Sequence, residues 1–149
     1  RFGSAYVLAR EAGFTVGRYS EHTVLRASDD VYVLDAMGKL MSFYAASDAV
    51  FIGGSLAEIG GHNPIEPGAL GKPMLIGPHY FNFEMICNEF IESGALQSVA
   101  NSKQLEAKLA QLIQDRDEAS ARGNAALAVV ARNTGATSRV VDYIAPDLS

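Results

Sequence analysis

The chain has 149 residues, 48% hydrophobic and 19% charged, which are globular values, and no apolar run approaches the ~18 residues that a membrane-spanning helix needs. A net charge of −5 argues against a nucleic-acid partner, because such proteins present a basic face to the phosphates. One cysteine excludes an internal disulfide and agrees with a reducing cytoplasm. The length suits one domain, expected over residues 1–149 and soluble. The opening at Arg1 rather than Met, directly into a helical pattern, leads us to expect the C-terminal part of a longer protein.

From the N-terminus, Phe2, Ala5, Tyr6 and Ala9 share one face of a helix over 2–12, with Gly13 as its stop. Short strands are expected at 14–19 and at 31–35, joined by a polar loop that holds His22, Asp29 and Asp30. Leu40, Met41, Tyr44 and Ala45 fall at helical spacing after Gly38. Ala49 to Ile52 is a continuous apolar run, the pattern of a strand buried on both faces of a parallel sheet. Asn63-Pro64-Ile65-Glu66 reads as a helix start, with Asn63 as N-cap, Pro64 in the first position and Glu66 completing a capping box. That helix should reach Leu70 and stop at Gly71.

A further strand is expected at 73–76, then a helix with Phe83, Ile86, Cys87, Phe90 and Ile91 inward, stopped by Gly94. A last strand should run over 96–99. Ser102 is expected to cap a helix that points Leu105, Leu109, Leu112 and Ile113 inward, followed by two more helices over 117–132 and 136–144. Short strands alternating with helices predict an α/β fold, a Rossmann-like, doubly wound parallel sheet. Ligands bind such sheets at the carboxyl ends of the strands.

The stretch Gly53 to Pro78 holds seven of the 14 glycines and four of the five prolines, so chemistry is expected there. Gly53-Gly54-Ser55 and Gly60-Gly61 follow a strand and precede a helix, either as tight turns or as a backbone nest for an anion. Glu66 suits sugar hydroxyls as well as a capping role, and His62 and His79 lie in loops where ligand contact competes with packing. The alternatives are weaker. Gly53 to Ala57 misses the hydrolase elbow G-x-S-x-G at its last position, no histidine pair has helical zinc spacing, and Cys87 sits on an apolar helical face.

The run GGSLAEIGGHNPIEPGALGKPMLIGPHYFNF, Gly53 to Phe83, together with VLDAMGKLMSFYAASDAVFIGG upstream, closely resembles the C-terminal domain of the 3-deoxy-D-manno-octulosonic acid (Kdo) transferases. The resemblance covers nearly the whole chain. It implies the C-terminal half of a GT-B glycosyltransferase, an inverting enzyme that takes Kdo from CMP-Kdo and uses no metal or other cofactor. The implied acceptor is a lipid A precursor (lipid IVA) in lipopolysaccharide synthesis, held by an N-terminal domain at the cytoplasmic face of the bacterial inner membrane. The family's CMP-binding segments map to Met37, Gly38 and Lys39 and to Asn63, Pro64, Ile65 and Glu66, with Gly53, Gly54, Ser55, His62 and His79 joining the donor site. Lys39 departs from the family's glutamate, which leaves backbone contacts at Met37 and Gly38. No catalytic residue is expected in this chain, because the family's base belongs to the N-terminal domain. Two rivals stay open: a GT-B enzyme that uses a UDP-sugar, and a non-catalytic nucleotide-binding α/β module.

Overall fold

The computed structural model describes residues 2–144, and their side chains over 3–134. The expected inward packing of Phe2 lies outside the described side chains. Two compact units divide the chain, one up to Phe43 and one from Tyr44 onward.

In the first unit, α1 (Phe2–Glu11) is followed by β1 (Val16–Arg18) and β2 (Val31–Val33), which pair in parallel with Val16 opposite Val31. Gly13 stops α1 as expected: at φ +91° its N–H donates to Arg10 and that of Phe14 to Ala9, which satisfies two orphan carbonyls of the helix end. Tyr6 and Ala9 are half-buried while Ala5 is exposed, so the inward face of α1 is narrower than the spacing implied. The guanidinium groups of Arg10 and Arg18 lie 5.7 and 5.2 Å from the centre of the Tyr6 ring. Three aromatic rings support the strands. Tyr32 stacks on Phe43 at 5.9 Å, and Tyr19 meets Phe43 edge-on at 6.1 Å.

The helix α2 (Leu40–Ala46) leads into the second unit, where β3 (Val50–Ile52), β4 (Met74–Ile76) and β5 (Leu96–Ser98) form a parallel sheet in chain order. Val50 faces Met74 and Met74 faces Leu96, so the three strands end level. Met74, Leu75 and Ile76 are fully buried, as the uninterrupted apolar run requires of a central parallel strand. One face of the sheet packs with Phe90, Cys87, Ala126 and Val129, and the other with Val99 and Leu112. The helices α3 (Ile65–Ala69), α4 (Glu84–Glu92), α5 (Ser102–Gln114) and α6 (Arg116–Ile144) surround it, with a 3-10 turn over Phe81–Phe83 before α4.

Three helix readings need correction. The cap of α5 is Asn101, one residue before Ser102: its backbone is extended and its Oδ1 accepts from the Gln104 N–H at 3.0 Å. Gln104 returns a bond from its Oε1 to the Ala100 N–H, and Ile113 is 53% exposed rather than inward. The two helices expected over 117–132 and 136–144 are one, α6. Gly135 costs a helix interior only about 1 kcal/mol, and no proline stands between it and Ile144 to break the helix.

Cys87 is fully buried, and burial pushes its thiol up to about 11. The thiolate form is therefore scarce at neutral pH. We expect a thiol reagent such as Ellman's to leave Cys87 unmodified in the native chain at pH 8 and to titrate one thiol after denaturation in urea. Rapid labelling of the native chain would contradict this. Because the folded thiol holds its proton longer than an unfolded one, this group's contribution to stability is complete below the unfolded value near 8.5 and lost as pH rises towards 11.

Candidate functional site

Because the strands of the second unit are parallel and level, the loops after Ile52 and Ile76 emerge on one carboxyl edge. Left-handed backbone is required where the first loop turns: Gly54 has φ +71°, Gly60 +98° and Gly61 +74°. The Gly61 N–H donates to the Gly54 carbonyl at 3.0 Å and closes the loop on itself. Over it lies His62, exposed, so placed that a Cβ on Gly54 would come 3.5 Å from its Nε2.

The second loop is laced to the first. The Ser55 carbonyl accepts the His79 N–H at 3.0 Å, and the Gly60 carbonyl accepts the Asn82 N–H at 3.2 Å. Asn82 adds a side-chain bond from its Nδ2 to the Ile59 carbonyl at 3.1 Å. It is the residue that motif reading passed over: it stands inside the NF pair of the quoted run, and nothing in its spacing marked it as a clamp.

The first loop ends at Asn63, whose Oδ1 accepts from the Ile65 N–H at 2.9 Å. This satisfies an orphan donor of α3 from one residue before the cap: α3 opens at Ile65, so the cap position falls to the fully buried Pro64 rather than to Asn63 as expected. Ile65 and Glu66 are exposed. Glu66 makes no capping bond to Asn63 among the described residues, so the expected capping box is half built and the carboxylate stays available to solvent. It lies close enough to Tyr44 to help raise that phenol, after burial, which is the larger cause. At five residues α3 has little dipole, and it ends at Ala69, capped by Leu70, with Gly71 at φ +64° turning the chain. Lys72 then caps α2 by donating to the Ala45 and Ser47 carbonyls at 2.7 and 2.8 Å.

The second unit thus gathers Gly53, Gly54, Ser55, His62, Asn63, Pro64, Ile65, Glu66 and His79 on and beside one pair of loops. A small cavity of about 190 Å³ beside them is lined by Pro78, His79, Tyr80, Phe81 and Glu84. Ser55 is fully buried, so its hydroxyl is committed inside the fold.

Met37, Gly38 and Lys39 belong to the first unit, after β2. Gly38 turns at φ +72°, Met37 is 91% exposed and Lys39 is exposed, with its carbonyl taken by the Ser42 N–H at 3.1 Å. Two residues before Met37, Asp35 anchors the turn: it accepts from the Ser20 hydroxyl at 2.7 Å, the Ser20 N–H at 2.8 Å and Arg18 Nε at 3.0 Å. The Ser20 hydroxyl leads in holding its carboxyl below the ordinary range, helped by the Ser20 amide and Arg18 against the opposing effect of burial. In the preceding loop Asp29 is likewise lowered, first by the Arg26 N–H at 3.1 Å, and pairs with His22 at 3.3 Å. Among the described residues no group of three or more His, Cys, Asp or Glu is placed to hold a metal ion, and no helix is long and apolar enough to cross a membrane.

Glycine-rich turns on the carboxyl edge of a parallel α/β sheet are where this fold class holds its ligands. The family model for glycosyl transferases, group 1, matches residues 20–134, and the chain belongs to that family. Within it the chain is similar to the 3-deoxy-D-manno-octulosonic acid transferases, at 35% identity over 149 residues with that of Haemophilus influenzae and 34% over 145 with that of Bordetella pertussis. These alignments take in 99% and 97% of this chain, which spans about a third (35% and 34%) of the length of the two relatives. Among solved structures, the C-terminal CMP-Kdo binding domain of WaaA from Acinetobacter baumannii superposes with a TM-score of 0.83 at 33% identity, over 87% of this chain and 68% of that one. The fold is that of a GT-B C-terminal domain.

Proposed function

We propose that this chain is the donor-binding domain of an inverting transferase that moves Kdo from CMP-Kdo to a lipid A precursor, lipid IVA, in lipopolysaccharide synthesis. The observation that carries the reading is the 33% identity and 0.83 TM-score with a domain described as binding CMP-Kdo. The site's chemistry supports it. Departure of CMP leaves negative charge on the phosphate, and a rigid glycine loop with His62 beside it offers close backbone approach and a donor side chain where that charge appears. An exposed, uncommitted Glu66 suits the ribose hydroxyls, which need acceptors. The acceptor and the base that takes its proton belong to an N-terminal domain across the cleft, and the whole protein works at the cytoplasmic face of the inner membrane.

The reading is tested by titrating the chain with CMP and with UDP under calorimetry. CMP should bind, with Kd in the high-micromolar to millimolar range, about −4 to −6 kcal/mol, and UDP more weakly. Glu66→Gln keeps the shape of the side chain and removes its charge, so it should weaken CMP by about 1–3 kcal/mol if a ribose hydroxyl bonds to the carboxylate. Equal affinity for UDP, or no loss in Glu66→Gln, would overturn the reading or this role of Glu66 respectively.

A further inference from the structure

Ser55 is the one fully buried polar side chain of the glycine-rich stretch, and its hydroxyl is used twice. It donates to the Ile52 carbonyl at the end of β3 and accepts the Gly77 N–H at 2.8 Å at the end of β4. The Ser55 carbonyl takes the His79 N–H, so one residue holds the second loop at two successive points. Gly77 is packed so tightly on the Ser55 backbone that any Cβ there would collide with the Ser55 carbonyl. Beyond these bonds, the loop continues through Pro78 to His79 and into the Tyr80 backbone beside Gly61, where a Cβ on Gly61 would stand 3.4 Å from the Tyr80 Cα.

We propose that Ser55 is a positioning residue: its hydroxyl and carbonyl fix the loop after β4 against the glycine loop after β3, and so set where His79 and the Gly60–Asn63 turn meet the donor. The inference rests on the donor-site reading and gives Ser55 a role within it other than ligand contact. A serine is suited to this point because it is small enough for a site with no exposure and carries both a donor and an acceptor. Alanine would keep the volume and leave the Gly77 N–H buried without its partner.

The test follows amide hydrogen exchange and CMP titration by NMR in the wild-type chain, Ser55→Ala and Ser55→Thr, well below their melting temperatures. In the wild type the Gly77 and His79 amides should exchange slowly, and slower still with CMP bound. Ser55→Ala should speed exchange at both amides and raise the Kd for CMP about tenfold, with the His79 ring resonances shifted, while the β3–β5 amides stay protected. Ser55→Thr keeps the hydroxyl but adds a methyl group to a fully buried site, so it should melt below wild type yet hold the Gly77 and His79 amides in slower exchange than Ser55→Ala does. The proposal is overturned if folded Ser55→Ala binds CMP as the wild type does, whatever its melting temperature, since the role would then be structural only. It is overturned equally if the wild-type Gly77 and His79 amides exchange freely, a readout that does not depend on any variant folding. A wild-type chain that binds no CMP would instead overturn the donor-site reading, leaving the exchange comparison to judge whether Ser55 ties the loops.

Discussion

Replacing Phe90 by alanine is expected to lower the unfolding free energy of the chain by about 3–5 kcal/mol. The ring is fully buried on the α4 face that meets the sheet, among Ile52, Met74, Ile76, Cys87, Leu96 and Val129. Its far end lies against Gly68, where a Cβ would stand 2.7 Å from Cζ, so α3 has been trimmed to the shape of the ring. Removing the ring leaves a cavity bounded by strand residues that cannot move inward without breaking the register of β4 with both neighbours. Domains of this size hold only about 5–15 kcal/mol in total, so the loss takes a large share. Urea titration followed by circular dichroism measures it. A change under about 1 kcal/mol would mean that the cluster repacks and that Phe90 is not its centre.

The second large effect is expected from a substitution that helix propensity alone would call favourable. Alanine for glycine inside an exposed helix stabilises by about 1 kcal/mol, and Gly123 lies within α6. Here a Cβ would collide with the Gly71 carbonyl, a backbone atom held by the turn after α3. Backbone on both sides cannot yield as a side-chain tip can. Gly71 is itself pinned at φ +64°, with its N–H on Gly68. Gly123→Ala must therefore lift α6 from the turn, and overpacking of about 1–3 kcal/mol or more outweighs the propensity gain. Leu127, one turn further, also faces this turn, its Cδ1 3.1 Å from where a Cβ on Gly71 would stand, so the displacement spreads along the helix. Thermal melting should show a fall in Tm of several degrees, whereas a rise would show that propensity wins.

The strands and most helices could be read from the sequence because each depends on a local signal. The apolar run at 73–76 and the 3.6-residue spacing of Cys87, Phe90 and Ile91 needed no knowledge of distant residues. Gly13 and Gly94 likewise announced their helix ends through the need for left-handed backbone. The misreadings arose where two local signals competed. Asn101 and Ser102 are both good caps, and only the backbone angles choose between them. Gly135 resembles a stop until a continuous helix overrides it. For the site, the residue types on the loops were legible, but the side chains that hold those loops together were not. The Ser55 to Gly77 and Asn82 to Ile59 bonds join positions 22 and 23 residues apart, and no periodicity encodes such a pairing.

The sealed thiol of Cys87 also fixes how this domain behaves under oxidative stress. With its sulfur enclosed between α4 and the sheet, the native chain offers peroxide no thiolate to turn into sulfenic acid and offers a second copy no partner for a crosslink. Oxidation must wait for the core to open. A covalent dimer formed through Cys87 would then mark molecules that had lost the packing around Phe90, and its accumulation would count unfolding events rather than cause them.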